Sequence, residues 1–374
     1  MLNNFEQSMN EHGGNIYRLA EELNMPESKV IDFSASVNPL GVSEKVKAGI
    51  KKELQNLHNY PDPDAKKLRE KIAQYHHIEP ETLLCGNGST ELIYLVPKAL
   101  KPRNVVIMAP TFSEYERACR TTSYKLKVTS YKLKKENNFD INPDKFISSL
   151  VTCLPNRQAR HLSLSFDMVF LCNPNNPTGR LLKKEEVKKI ADAAKELKCY
   201  LVVDEAFIDF HPEESVIKDV QNNPYLIVLR SMTKFYALSG LRVGYGVFPR
   251  HIVNMLKEHK EPWTVNTLAQ KAAIAALADN NHAVKTFKVI RKEKRFLENG
   301  FRELGIKFYP SDANFYLLKI NNSFLIVPIL NRKGILVRNC SNFKGLDNSY
   351  IRVAVKSRPQ NRALVEALRY ALNE

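Results

Sequence analysis

The sequence predicts an α/β protein whose mostly parallel sheet lies between helices, joined to a smaller α+β domain. Three observations carry this. Four short apolar, β-branched runs occur in the middle of the chain: RNVVIMAP (103–110), FDMVFLCN (166–173), CYLVVDEA (199–206) and PYLIVLRS (224–231). Helical patterns lie between such runs, notably at 89–100 and 183–198, and near-continuous apolar strands alternating with helices make a parallel sheet buried on both faces. From about residue 283 the pattern changes to one long charged helix followed by several strands and a final helix.

In chain order, residues 1–45 hold HGGNIYRLA, from His12, and DFSASVNPLG (32–41), but no long core element. This segment is expected to fold back on the small domain. GNGSTELI (86–93) is a glycine-rich turn entering the helix 89–100, where free N–H groups and hydroxyls point at the helix start. The run 103–110 follows, then Thr111-Phe112; the run 166–173 leads into the Pro-bracketed turn NPNNPTG (173–179). The helix within LLKKEEVKKIADAAKELK (181–198) interleaves lysines with acids, as a solvated face does. The run 199–206 ends in DEAFIDF, and 224–231 runs into SMTKFYALSGLR (231–242). After the helix VKTFKVIRKEKRFLENGFREL come IKFYP, ANFYLLKI, ILVRNC and YIRVAVK, then a helix over 359–372. The expected division is a large domain, 46–282, and a small one built from 1–45 and 283–374.

Of the 374 residues, 44% are apolar and 26% charged, an ordinary soluble composition, without a secretory signal or a membrane-length apolar run. A cytoplasmic protein is the expectation. Cys85, Cys119, Cys153, Cys172, Cys199 and Cys340 are scattered without metal-ligand spacing, so buried free thiols are expected, and no metal. The His76–His77 pair is read as a solvated helix end. The net charge of +16 comes from dispersed lysines; no basic block alternates with aromatics, which argues against nucleic acid.

The candidate chemistry sits where the apolar runs end, the place α/β sheets offer ligands. A lone lysine after a strand is ordinarily solvated. Lys234, however, lies between Ser231 and Arg242, which can hold a phosphate, with Gly240 allowing close backbone approach. Asp204 closes a buried strand; such an aspartate serves as a turn residue or as a partner for a protonated ring nitrogen. Asn176 has an amide to offer a ring oxygen and a carboxylate. Gly88, Ser89 and Thr90 suit a phosphate, and Phe112 suits an aromatic ring face. A lysine for imine formation, an acid for a pyridine nitrogen and donors for a phosphate are what pyridoxal 5'-phosphate requires.

These ordered motifs, spread over nearly the whole chain, resemble the fold-type I pyridoxal-phosphate enzymes of the aspartate aminotransferase superfamily. The resemblance implies a seven-stranded-type sheet. It also implies a covalent cofactor link at Lys234, Asp204 on the ring nitrogen, Asn176 on the ring oxygen, and Ser231 and Arg242 on the phosphate. Tyr60, in NYPDPDAKKLRE, matches a tyrosine that reaches the neighbouring subunit's cofactor phosphate, which implies a homodimer. Phe207 stands where many relatives have a tyrosine, so that hydroxyl contact to the ring oxygen is missing.

Two arginines in VRNCSNFKGLDNSYIRVAVKS (337–357), Arg338 and Arg352, lie on different elements and are expected to converge on one anion site. In the superfamily the counterpart of Arg352 binds the substrate carboxylate. Histidinol-phosphate aminotransferases have a counterpart of Arg338 for phosphate. The His-Gly-Gly-Asn start, FSASVNPLG and DEAFIDF are similar to the threonine-phosphate decarboxylases of cobalamin synthesis. That similarity implies conversion of L-threonine O-3-phosphate to (R)-1-amino-2-propanol phosphate and CO2, with His12 closing over the substrate and Asn38 a lesser candidate for the same pocket. The alternatives are histidinol-phosphate aminotransferase and a serine-phosphate decarboxylase.

Overall fold

The computed structural model describes residues 12–122, 125–152, 166–321 and 323–374. In chain order its strands are β1 (Ile31–Asp32), β2 (Leu83–Asn87), β3 (Asn104–Ala109), β4 (Lys127–Lys132), β5 (Met168–Cys172), β6 (Tyr200–Asp204) and β7 (Leu226–Ser231). Then follow β8 (Val243–Val247), β9 (Lys307–Phe308), β10 (Phe315–Lys319), β11 (Ile335–Leu336), β12 (Arg338–Asn339) and β13 (Tyr350–Ala354). The four apolar runs of the sequence are β3, β5, β6 and β7.

Seven strands form one sheet in the order β2-β8-β7-β6-β5-β3-β4. The pairs among β4, β3, β5, β6 and β7 are parallel, while β8 runs antiparallel to both β7 and β2. The reversal follows from connection length. Only residues 232–242 join β7 to β8, too little chain for a helical crossover back to a parallel start. This short reversal is also the segment that carries Lys234 and Arg242.

Helices cover both faces of the sheet. On one side Leu92, Ile93 and Val96 of the helix Gly88–Leu100, Tyr115 and Ile252 pack with Ile107, Phe170, Val202 and Leu229. On the other, Ile72, Val187, Ile190 and Ala272 pack with Val106, Val169, Leu201 and Val228. Side chains alternate across each strand, so both sets are apolar and the strands read as unbroken hydrophobic runs.

The remaining strands form a four-stranded antiparallel sheet, β12-β13-β10-β9, and the parallel pair β1-β11. The β1 pairing docks the N-terminal part against the C-terminal part, and Ala354 N–H donates to Phe33 O at 2.8 Å. The long charged helix spans Asn280–Glu303, and Asp279 caps it by accepting from His282 N–H.

His76 differs from the sequence expectation. It is buried, and Nε2 lies 2.7 Å from the Tyr245 hydroxyl. Burial, then the nearby Arg230 charge, hold its pKa far below the usual histidine range. The signal was its phase: His76 falls on the same face as Leu68, Ile72 and Ala73, whereas His77 is the left-handed residue that ends the helix. Cys85, Cys119, Cys172, Cys199 and Cys340 are free and buried; Cys153 lies outside the described residues. Among the described residues no cluster of metal-binding side chains occurs, and no helix is long and apolar enough to cross a membrane.

Candidate active site

The carboxyl ends of β5, β6 and β7, the helix Gly88–Leu100 and the turn after β1 enclose a cavity of about 440 Å³. Of the residues singled out by sequence, it is lined by His12, Ser89, Thr90, Phe112, Asn176, Asp204, Phe207, Ser231, Lys234, Arg242, Arg338 and Arg352.

Lys234 is partly buried there. Burial, then the charges of Arg352 and Arg242, pull its pKa down to about 8. A much larger fraction of its amine is therefore neutral near pH 7 than for a solvated lysine, as imine chemistry requires. Asp204 closes β6, buried, with both oxygens engaged. Oδ1 accepts from Ala206 N–H at 3.0 Å and Oδ2 accepts from the Tyr115 hydroxyl at 2.7 Å. Burial raises the Asp204 pKa, while the Tyr115 and Ala206 hydrogen bonds and the Lys234 charge oppose the rise.

The loop after Asp204 is pinned from behind the sheet. Arg230 Nη1 donates to Glu205 Oε2 at 3.1 Å, Arg230 Nη2 pairs with Asp209, and Glu205 also takes Val216 N–H at 2.8 Å. The two further acids of DEAFIDF thus hold the loop, and only Asp204 faces the cavity.

One wall is built for an anion. Ser89 and Thr90 open the helix Gly88–Leu100; Ser231 Oγ lies 2.7 Å from Thr233 Oγ1, and Arg242 faces them. Gly88 has φ +74° and packs so closely on Arg242 that a Cβ would come within 2.7 Å of Nη2. Arg242 itself has φ +57°. Gly240 touches nothing there that a Cβ would meet.

Arg338 and Arg352 face each other directly across β12 and β13, each only 7% exposed. Like charges on paired residues repel. Burial, and after it Arg338, lower the Arg352 pKa to about 10 against the opposing pull of Cys340. Arg352 donates through Nη1 to Asn176 Oδ1 and through Nη2 to Ser34 O at 2.7 Å. Its Nε and the Ser36 hydroxyl are buried without a hydrogen-bond partner among the described residues. Arg338 donates to Asn339 O and, at 2.8 Å, to Asn342 Oδ1.

Gly88 backs the anion wall through Arg242 without lining the cavity, and two further sequence candidates lie elsewhere. Asn38 does not line the cavity; its Nδ2 donates to Phe235 O at 2.7 Å and Thr286 Oγ1 at 2.8 Å, tying the turn after β1 to the Lys234 loop and the long helix. Tyr60 is 84% exposed and packs on Trp263, with ring centroids 5.4 Å apart.

The sequence reading missed Tyr115, Thr233, Ser34, Ser36, Glu114 and Arg117, all of which line the cavity. Tyr115 and Glu114 follow Phe112 by three and two positions, so a helix start beside a candidate ring position was the available signal. Tyr115 stacks on Phe170 at 5.1 Å and meets the Phe112 ring edge-on at 5.6 Å, so it supports both Phe112 and Asp204.

The described geometry fits pyridoxal phosphate. The donor wall suits the phosphate, Phe112 the ring face, Asp204 the ring nitrogen, Asn176 the ring oxygen, and Lys234 the carbonyl carbon.

Comparisons with known proteins agree with this geometry. Residues 28–368 match the family described as aminotransferase class I and II. A threonine-phosphate decarboxylase of Salmonella typhimurium is 37% identical over 365 residues, covering 96% of each chain. Among solved structures, histidinol-phosphate aminotransferase from Clostridium acetobutylicum aligns with TM-score 0.82 and 30% identity, over 92% of this chain and 100% of that one. L-Threonine-O-3-phosphate decarboxylase from Porphyromonas gingivalis aligns with TM-score 0.78 and 27% identity, over 92% and 100%.

Proposed function

The chain belongs to the aminotransferase class I and II family, and we propose that it is a pyridoxal-phosphate-dependent decarboxylase of L-threonine O-3-phosphate, yielding aminopropanol phosphate and CO2 for cobalamin biosynthesis. The observation that carries this reading is the cross-strand arginine pair. Two buried guanidiniums, 338 and 352, share one cavity with Lys234 and Asp204, so the site is made for an amino acid with two anionic groups.

When bound, pyridoxal phosphate supplies an electrophilic carbonyl and a ring that accepts the electrons of a breaking bond at Cα. The chain's own residues do the rest. Arg352 takes the substrate carboxylate and Arg338 the phosphate. Together with Asn176 they decide which bond at Cα stands ready to break. Asp204 would hold a proton at the ring nitrogen. Lys234, with its lowered pKa, accepts and returns protons near neutral pH and delivers one to Cα after CO2 leaves. Phe207 brings no hydroxyl to the ring oxygen, which leaves that contact to Asn176. Its ring packs edge-on against Phe315 at 5.0 Å, and Phe315 carries the Arg352 guanidinium 5.1 Å from its centroid.

In the same proposal the enzyme is a cytoplasmic homodimer, with residues 46–282 as the cofactor domain and Tyr60 serving the neighbouring subunit. Its exposure beside Trp263 supports this role. Serine phosphate lacks one methyl, a difference a pocket discriminates by about 1–3 kcal/mol, so it is a second substrate.

Incubation of the purified enzyme with threonine phosphate tests the reading, with CO2 and aminopropanol phosphate as the expected products. Absence of CO2, together with amino transfer from glutamate to imidazoleacetol phosphate, would replace it with the aminotransferase assignment.

A further inference from the structure

Glu114 is a buried carboxylate in a cavity otherwise suited to anions. Unanswered, its charge would repel a doubly anionic substrate. Both its oxygens are engaged. Oε1 lies 2.9 Å from His12 Nε2 and 3.7 Å from Arg117 Nη1, and Oε2 accepts from the Tyr94 hydroxyl at 2.5 Å. The His12 hydrogen bond is the largest influence on Glu114 and, with the Tyr94 hydrogen bond and the Arg117 charge, keeps its pKa below the usual range despite burial. As a carboxylate, Glu114 only accepts, so His12 Nε2–H is the donor.

The residues beside His12 are held equally closely on the opposite side of the cavity. Gly14 N–H donates to Ser34 Oγ at 2.7 Å, and Ser34 Oγ donates to Asp32 Oδ1 at 2.6 Å. Gly13 lies so near Ser34 that a Cβ would overlap the Ser34 carbonyl oxygen, the atom that accepts from Arg352. His-Gly-Gly therefore spans the mouth between the turn gripped by Arg352 and the helix Glu114–Arg120.

We propose that Glu114 is a positioning residue for the substrate phosphate: it holds His12 and Arg117 at the cavity mouth, and they in turn mask its charge from the anion. The proposal deepens, and rests on, the reading that the cavity takes a phosphorylated amino acid. His12 then has two tasks, to contact the anion and to neutralise Glu114. Removing His12 alone exposes Glu114, so a second change that discharges Glu114 restores part of the loss.

The test uses the cofactor-loaded enzyme with inorganic phosphate as probe, followed by thermal shift, together with KM for threonine phosphate and amide exchange of the backbone at 13–20. Glu114→Ala is expected to speed exchange there and to weaken phosphate binding roughly tenfold, as for one lost charged hydrogen bond, with the loss falling mainly on KM. Glu114→Gln keeps an acceptor for both partners and stays within about threefold of wild type. His12→Ala weakens phosphate binding by roughly tenfold or more, and His12→Ala/Glu114→Gln binds phosphate more tightly than His12→Ala. A merely structural Glu114 gives no such recovery. The proposal is overturned if the double variant binds no better than His12→Ala, or if Glu114→Ala leaves phosphate affinity unchanged. If wild type releases no CO2 from threonine phosphate but these binding results hold, the decarboxylase reading falls and the role of Glu114 stands.

Discussion

Replacing Tyr115 by phenylalanine removes one oxygen atom and tests how the acid of the site is held. The aromatic ring remains, so its stacking on Phe170 and its contact with Phe112 are preserved and no cavity is opened. What disappears is the 2.7 Å hydrogen bond to Asp204 Oδ2, inside a site where Asp204 is 3% exposed. A hydrogen bond to a charged group contributes about 1.5–3 kcal/mol and one between neutral groups about 0.5–1.5. The apoprotein should lose the larger amount where Asp204 is ionised and the smaller where it is protonated. The difference of about 1–1.5 kcal/mol corresponds to roughly one pKa unit. The sign follows from linkage. The Asp204 pKa is already raised by burial, and Tyr115→Phe would raise it further, so the variant's folded state binds its proton to higher pH. Its stability deficit should therefore grow as pH rises from the wild-type pKa of Asp204 to the variant's, and then level off. Urea denaturation of both apoproteins across the acid-to-neutral range measures this. A deficit that is the same at every pH, or below about 0.5 kcal/mol throughout, would refute the claim that Tyr115 stabilises the carboxylate.

Lys234→Met should stabilise the apoprotein at pH 7. The pKa of about 8 lies roughly two and a half units under that of an unfolded lysine, a penalty of about 3 kcal/mol below pH 8 that vanishes by about pH 10.5. Denaturation curves over that window check the sign, and loss of borohydride-trapped cofactor checks the covalent link. Arg352→Lys cannot hold Asn176 and Ser34 O with one fork, and KM for threonine phosphate should rise roughly tenfold to a hundredfold in steady-state assays. Gly244→Ala would drive a Cβ into Ser89 N and to 2.8 Å from Arg230 O, both backbone atoms. It should cost about 1–3 kcal/mol in denaturation and weaken cofactor binding, because β8 then pushes on the start of the phosphate-facing helix.

The strands readable in sequence were those buried on both faces, because unbroken apolar runs such as VVIMA and LVV have no polar alternation to confuse them. β8, with the sequence VGYGV, was hidden by its glycines. They are there because the neighbouring chain leaves no room for side chains: at Gly244 the start of the helix Gly88–Leu100 lies against the strand. β4, KVTSYK, is partly exposed, so its pattern blends into the surface. His76 was misread because a helix end was judged by sequence position and not by face.

The same distinction separates the site residues found from those missed. Lys234, Asp204 and Arg242 stand at strand ends, where chain order alone brings them together. Tyr115 and Glu114 act through partners 89 and 102 residues away, Asp204 and His12, and no local spacing encodes such pairs. The arginine pair lies between these cases. Arg338 and Arg352 are visible as two cations in a strand-rich tail, yet their facing each other depends on the β12–β13 register. A shift of one residue would send one of them to the opposite face of the sheet. Two buried guanidiniums held as direct neighbours repel, and the hydrogen-bond acceptors of Arg352, Asn176 Oδ1 and Ser34 O, are neutral. An arrangement that costs the empty protein stability is retained where a ligand removes the cost. On the proposed roles of these residues, the register of a short strand pair contributes as much to substrate choice as the lysine does to chemistry.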